Sequence, residues 1–172
     1  MHSYQLEERK QQAGSDDIPR FYQRLSDNGI PIILRTPWLE LERITFSSNK
    51  DNIFVSVPVD DDTRSHLDTI EKFVMENATI PDELESIHNG KIYKPLYRGE
   101  SMNISVRYGC WCLYHPPHEK SPEVRAVQEL IKCRKAKYRF SITPYQIYIG
   151  PHKDGSLISI ILKMDCIEFE DV

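Results

Sequence analysis

Between residues 102 and 114 the side chains alternate with a period of two. Met102, Ile104, Val106, Tyr108, Cys110, Cys112 and Tyr114 fall on one side, and Asn103, Ser105, Arg107, Gly109, Trp111 and Leu113 on the other. Only an extended chain puts every second residue on one face. The stretch therefore predicts a long strand with a core face and a second face presenting Arg107 and Trp111. The same period returns at residues 137–142, with Tyr138, Phe140 and Ile142 inward and Lys137, Arg139 and Ser141 outward. Further strands are expected at residues 31–46, made irregular by Pro31 and Pro37, and at 53–57, 145–149 and 157–164. Turns are expected at residues 47–52 and at Asp154-Gly155.

Helical spacing is confined to a few places. Leu67, Ile70, Phe73 and Val74 follow Asp60-Asp61-Asp62, whose carboxylates suit a helix N-terminus. A second helix is predicted from Ser121-Pro122-Glu123 through Val124, Val127 and Ile131, and a short helical turn over residues 18–25. These elements predict a mainly β fold: an OB-fold-like Greek-key barrel (the oligonucleotide-binding type) with one or two inserted helices, an open α+β sheet being the alternative.

The chain of 172 residues is long enough for one core. The expected organisation is a flexible, polar N-terminal arm over residues 1–17, one domain over 18–169 and a short acidic tail end at 170–172. The arm does not read as a signal peptide, and no apolar run approaches the ~18 residues that span a bilayer. Four cysteines do not make a disulfide framework at this size, so an intracellular, reducing compartment is expected. Nucleus and cytoplasm are both open.

The net charge of −4 conceals a strong asymmetry. Residues 1–90 are net −8, residues 91–139 net +7, and residues 140–172 net −3. Most of the tyrosines lie in this block or just after it: seven of nine fall between positions 93 and 148, as does Trp111. Single-stranded nucleic acid calls for that pairing, since cations neutralise phosphates and ring faces stack on bases. The candidate nucleic-acid-binding residues are Lys132, Arg134, Lys135, Lys137 and Arg139 for phosphates, with Arg98 and Arg107 beside them. Tyr145, Tyr148 and Trp111 are the stacking candidates. Tyr108 and Tyr138 fall on apolar faces and are assigned to the core.

The run Lys137-Tyr138-Arg139-Phe140-Ser141-Ile142-Thr143-Pro144-Tyr145, then Gly155-Ser156 and a strand into an acidic ending, resembles the single-stranded DNA-binding proteins of podoviruses. The segment Ile53 to Pro58 with the acidic turn and helix after it is similar to that family too, as are Lys94-Pro95 and Gly99-Glu100. The resemblance implies an OB-fold, a non-catalytic role in coating single-stranded DNA during replication, recombination or repair, DNA contacts at Lys137 and Arg139, and a stacking ring at Tyr145. It also implies replication partners such as a polymerase or helicase. A homodimer is compatible with it.

Other chemistries have weaker signatures. Cys110-x-Cys112-x2-His115-x2-His118, with Cys133 nearby, has zinc-type ligands at a non-standard spacing, and cysteine on an apolar strand face acts as a small hydrophobe, so no metal and no cofactor is expected. Asp60, Asp61 and Asp62 would serve a Mg²⁺-dependent nuclease, but helix capping accounts for them. Seven scattered glycines form no phosphate-cradling loop. The remaining rival is a protein-interaction accessory module with a basic face.

Overall fold

A computed structural model describes residues 1–13, 16–49, 52–85, 91–106, 109–130 and 135–172. The chain is mainly β. Its elements in order are β1 (Tyr4–Leu6), β2 (Lys10–Ala13), β3 (Pro19–Asp27), β4 (Leu34–Arg35), β5 (Leu39–Leu41), β6 (Thr45–Asn49), β7 (Asn52–Pro58), α1 (Asp61–Asn77), α2 (Asp82–Glu85), β8 (Lys91–Lys94), β9 (Ser101–Ser105), β10 (Trp111–His115), β11 (Glu123–Val124), α3 (Val127–Leu130), β12 (Ala136–His152) and β13 (Gly155–Asp171). They divide into two compact units. Among the described residues no strand pairing closes a barrel.

Unit 1 comprises Met1–Ile32, Ser65–Leu96 and Pro144–Ile161. Its β3 runs antiparallel to β12, with Tyr22 opposite Tyr148 and Phe21 opposite Ile149. On the other side of β3 lie β1, with Leu6 opposite Leu25, and β2, with Lys10 opposite Tyr22. β8 lies parallel to β13, with Tyr93 opposite Ile158. Phe21, Leu25, Ile147, Ile149, Ile158 and Ile160 are buried, as are Leu67, Ile70 and Val74 of α1. The helix has no basic residue in its last turn. Lys91 of β8 supplies one, its ammonium donating to the carbonyls of Met75 and Ala78.

Unit 2 comprises Ile33–Arg64, Tyr97–Thr143 and Leu162–Val172. Here β12 pairs with β4 and β5, and β13 runs parallel to β10, which carries the short β11 on its far side. Ala136, Tyr138, Phe140, Ile142, Ile167 and Cys112 are buried. A separate sheet of order β6-β7-β9 buries Val55 against Ile104 and Val57 against Met102. Asp60 caps α1 by accepting from the Thr63 N–H at 3.4 Å, the role expected of the triplet.

Both long strands change which parity they bury. On β12 the buried side chains are 138, 140 and 142, then 147 and 149. The change falls at Pro144, which sits between the residues paired with β4 and those paired with β3. A proline lacks the N–H that a continuous ladder needs, so it is tolerated where the strand changes partner.

Several expectations are corrected. Residues 18–25 form strand, not a helical turn: Phe21 and Leu25 point inward while Arg20, Tyr22 and Arg24 alternate with them. Residues 4–13, read as an arm, form β1 and β2, and Tyr4 packs its ring 5.7 Å from Phe73. The strand expected at 31–46 divides into β4, β5 and the start of β6, with Pro37 between the first two. The strand at 102–114 divides into β9 and β10, in different sheets, with Gly109 at φ +85° between them. That backbone angle is one only glycine adopts freely. The helix expected from Ser121 is instead β11 followed by the single turn α3.

Candidate nucleic-acid interface

A polar cluster of unit 2 is built around one carboxylate. Glu168 lies on β13 between the buried Ile167 and Phe169, and the residue is only 5% exposed. It accepts hydrogen bonds from Arg35 Nη2 at 2.7 Å, from Arg139 Nε at 3.0 Å and Nη2 at 2.9 Å, and it meets His115 Nε2 at 3.0 Å. Four strands contribute. Arg139 comes from β12, Arg35 from β4 opposite Ser141, and His115 from β10, which pairs with β13. The Arg139 guanidinium lies over the Trp38 ring, 4.5 Å from its centroid, and His115 meets that ring edge-on at 5.6 Å. Such a contact holds the guanidinium plane in one orientation.

Trp111 stands on the same face. It is two and four residues from Leu113 and His115 on β10, and it is opposite Cys166 as Leu113 is opposite Glu168. Its side chain is mostly open to solvent, the residue being 63% exposed. Arg35 is 53% exposed and uses one of its N–H groups on Glu168. The face therefore presents two tryptophans, two arginines and a histidine, tied together by a carboxylate beneath them.

Electrostatics fixes the state of that carboxylate. Burial pushes its pKa up, but the hydrogen bonds and charges of Arg139 and Arg35, with His115, outweigh burial and hold it at about 2. A carboxyl depressed on folding stabilises the protein above its unfolded value of about 4.3, and this contribution is lost as pH falls through the folded value. Stability is thus expected to drop between about pH 5 and pH 2 by an amount on the order of 2 kcal/mol from this group alone. Urea midpoints across that range check it: Glu168→Gln should flatten the acid limb, and an unchanged limb would remove Glu168 as its cause.

The other sequence-predicted cations sit as follows. Lys137 lies 3.6 Å from Glu170, and Lys135 lies 2.7 Å from Glu40 and 3.5 Å from Glu42. With Arg35 and Arg139 on Glu168, four cations of this unit meet four carboxylates. Arg98 is exposed in the turn into β9, on the smaller sheet. Lys132, Arg134 and Arg107 lie outside the described residues, as does Tyr108. Tyr138 is buried, as expected.

Tyr145 and Tyr148 belong to unit 1, and being three apart on a strand they face opposite ways. Tyr145 shares the parity of the buried Ile147 and Ile149, is half-buried, and its hydroxyl accepts from Gln146 Nε2 at 3.3 Å. Tyr148 is on the other face, packed at 5.5 Å from Tyr22. The structure thus brings together Lys137, Arg139 and Trp111 and sets the two tyrosines apart from each other.

Sequence reasoning missed Arg35, Trp38, His115 and Glu168 as one cluster. Glu168 carried a signal, since it interrupts an apolar pair in a strand that continues into Phe169. Arg35 and Trp38 carried none, because their neighbours on β12 and β10 (Ser141 for Arg35, Arg139 and His115 for Trp38) are 77 to 106 residues away along the chain and are brought close only by sheet pairing.

Of the cysteine and histidine constellation, Cys133 lies outside the described residues, and the others form no metal-holding group. His115 is engaged by Glu168, and His118 is exposed at φ +72°. Burial pushes the Cys110 thiol up to about 12, with Cys166 and Cys112 adding to it, and the Cys166 thiol up to about 11. Among the described residues no group of three or more His, Cys, Asp or Glu could hold a metal ion. Among them, too, no helix is long and apolar enough to cross a membrane. No family model, curated protein or solved structure matches this chain.

Proposed function

We propose that the protein binds single-stranded DNA without catalysis, coating it in replication, recombination or repair, and that the outer face of the unit 2 sheet is the binding surface. The observation that carries the reading is the exposed Trp111 on one sheet face with Trp38, Arg35, Arg139 and His115. Indole faces stack on bases irrespective of sequence, at about 1–3 kcal/mol per base, and guanidinium groups fork onto phosphate oxygens. The oligonucleotide-binding barrel and the podovirus-type family belong to the same proposal. The reading does not depend on barrel closure, since an open sheet face offers the same stacking platform.

The balance of charge on this unit sets how binding proceeds. Four cations are already matched by four carboxylates, so phosphates bind by exchanging with those carboxylates and long-range attraction adds little. Affinity then rests chiefly on the tryptophans. The test is a labelled oligo-dT titration followed by anisotropy, with matching duplex as competitor. Displacement by unlabelled single strand and not by duplex supports the reading. Equal displacement by both would reduce it to a nonspecific basic patch, and no binding at low salt would leave the protein-interaction module in its place.

A further inference from the structure

Unit 1 carries a second sheet face of the same chemistry, with a different charge balance. In β3 the residues Arg20, Tyr22 and Arg24 alternate with the buried Phe21 and Leu25, so they share the outward side. Residues directly opposite in an antiparallel ladder lie on one face. Lys10 of β2 and Tyr148 of β12 flank Tyr22, Gln12 is opposite Arg20, and Gln146 is opposite Arg24. The result is a three-strand face with two tyrosines at its centre, their rings 5.5 Å apart and inclined at 61°.

Its cations are less engaged than those of unit 2. Arg20 donates to the Asp16 carboxylate at 3.0 and 3.2 Å and also lies against the Tyr148 hydroxyl. Lys10 and Arg24 are exposed and have no ion-pair partner among the described residues. Of these three cations only Arg20 has a carboxylate partner among the described residues, and unpaired cations release counterions when they meet phosphates. Gly150 completes the arrangement: the Tyr148 ring lies across it, where a Cβ would collide with the ring.

We propose that this face of β2, β3 and β12 is a separate single-strand nucleic-acid surface, with Tyr22 and Tyr148 stacking on bases and Lys10, Arg20 and Arg24 taking phosphates. It goes beyond the reading given for unit 2, because it predicts a second bound strand per chain. Charge complementarity and the paired rings name the occupant.

The two surfaces are separable because both tryptophans of the chain lie in unit 2, so tryptophan emission does not report on unit 1 directly. The experiment is calorimetric stoichiometry with an oligo-dT of about 8 nucleotides, a length within the usual site size of one binding fold, together with tryptophan emission. The full-length protein is expected to bind two oligonucleotides. Lys10→Glu with Arg24→Glu is expected to bind one, with the tryptophan response kept. Gly150→Ala, which pushes Tyr148 aside without deleting it, should weaken the same event by about fivefold or more. One oligonucleotide per wild-type chain, with a tryptophan response that the Lys10 and Arg24 variant does not alter, would overturn this inference and leave the unit 2 reading standing. One oligonucleotide with no tryptophan response, lost in that variant, would uphold the inference and remove the unit 2 reading. No binding at all would overturn both and point to an acidic protein partner.

Discussion

Replacing Glu168 by Gln is expected to move stability and binding in opposite directions within one molecule. The substitution keeps the shape and removes the charge, leaving Arg35 and Arg139 without their common anion. Breaking a buried ion pair by removing one partner costs about 3–5 kcal/mol. Arg35 is half in water and can rehydrate, so a loss of about 2–3 kcal/mol is expected here. The same change frees two guanidinium groups for phosphate. Affinity for single-stranded DNA should rise several-fold, and the salt dependence should steepen by about one released counterion. Urea denaturation and oligonucleotide titration at two salt concentrations read both effects. A folded variant that binds more weakly than wild type would mean that Glu168 holds the arginines in their binding geometry and does not compete with phosphate.

Trp111→Ala is expected to give the largest loss of affinity for no loss of fold. The ring is mostly exposed, so removing it should change stability by less than about 0.5 kcal/mol. If it stacks on a base, removal costs about 1–3 kcal/mol, which is roughly 5- to 150-fold in affinity. Trp111→Phe, which keeps a smaller ring face, should recover part of it. Tyr145→Ala makes the contrast, because that ring shares the parity of buried residues and its truncation should act on stability. Affinity unchanged in folded Trp111→Ala would exclude this residue from the interface.

How much of this was legible in the sequence depended on whether the signal was local. The alternation at 137–142 is reproduced residue for residue, with Tyr138, Phe140 and Ile142 fully buried, because period-two patterning is the direct imprint of a half-buried strand. The helix after Asp60 is equally local in origin, with its cap and its apolar spacing both present. The alternation at 102–114 was real but was read as one strand. Gly109 was the break, and its positive φ was invisible while the residue counted only as a polar position. Residues 18–25 show the opposite error. Phe21 and Leu25 alternate with Arg20, Tyr22 and Arg24 at the period of a strand, but Pro19 also suits a helix start, so two local signals compete there.

The interface was legible in composition and not in arrangement. A basic and aromatic block is a local property, and Arg139 and Trp111 do lie on one face. The neutralisation of Lys135, Lys137 and Arg139 by Glu40, Glu42, Glu170 and Glu168 is set by sheet pairing between distant segments. No window of sequence contains both members of those pairs. The same holds for the face of unit 1, where Lys10, Tyr22 and Tyr148 come from three strands.

The central claim is that single-stranded DNA sits on the outer sheet face of unit 2, against the tryptophans. Titrating the full-length protein with oligo-dT while following intrinsic tryptophan emission tests it most directly, because the chain's two tryptophans, Trp38 and Trp111, are both on that face. The account predicts saturable quenching that weakens with added salt, and in Trp111→Ala a smaller quenching, from Trp38 alone, that saturates at higher oligonucleotide concentration. Oligonucleotide binding that leaves the emission unchanged would contradict it.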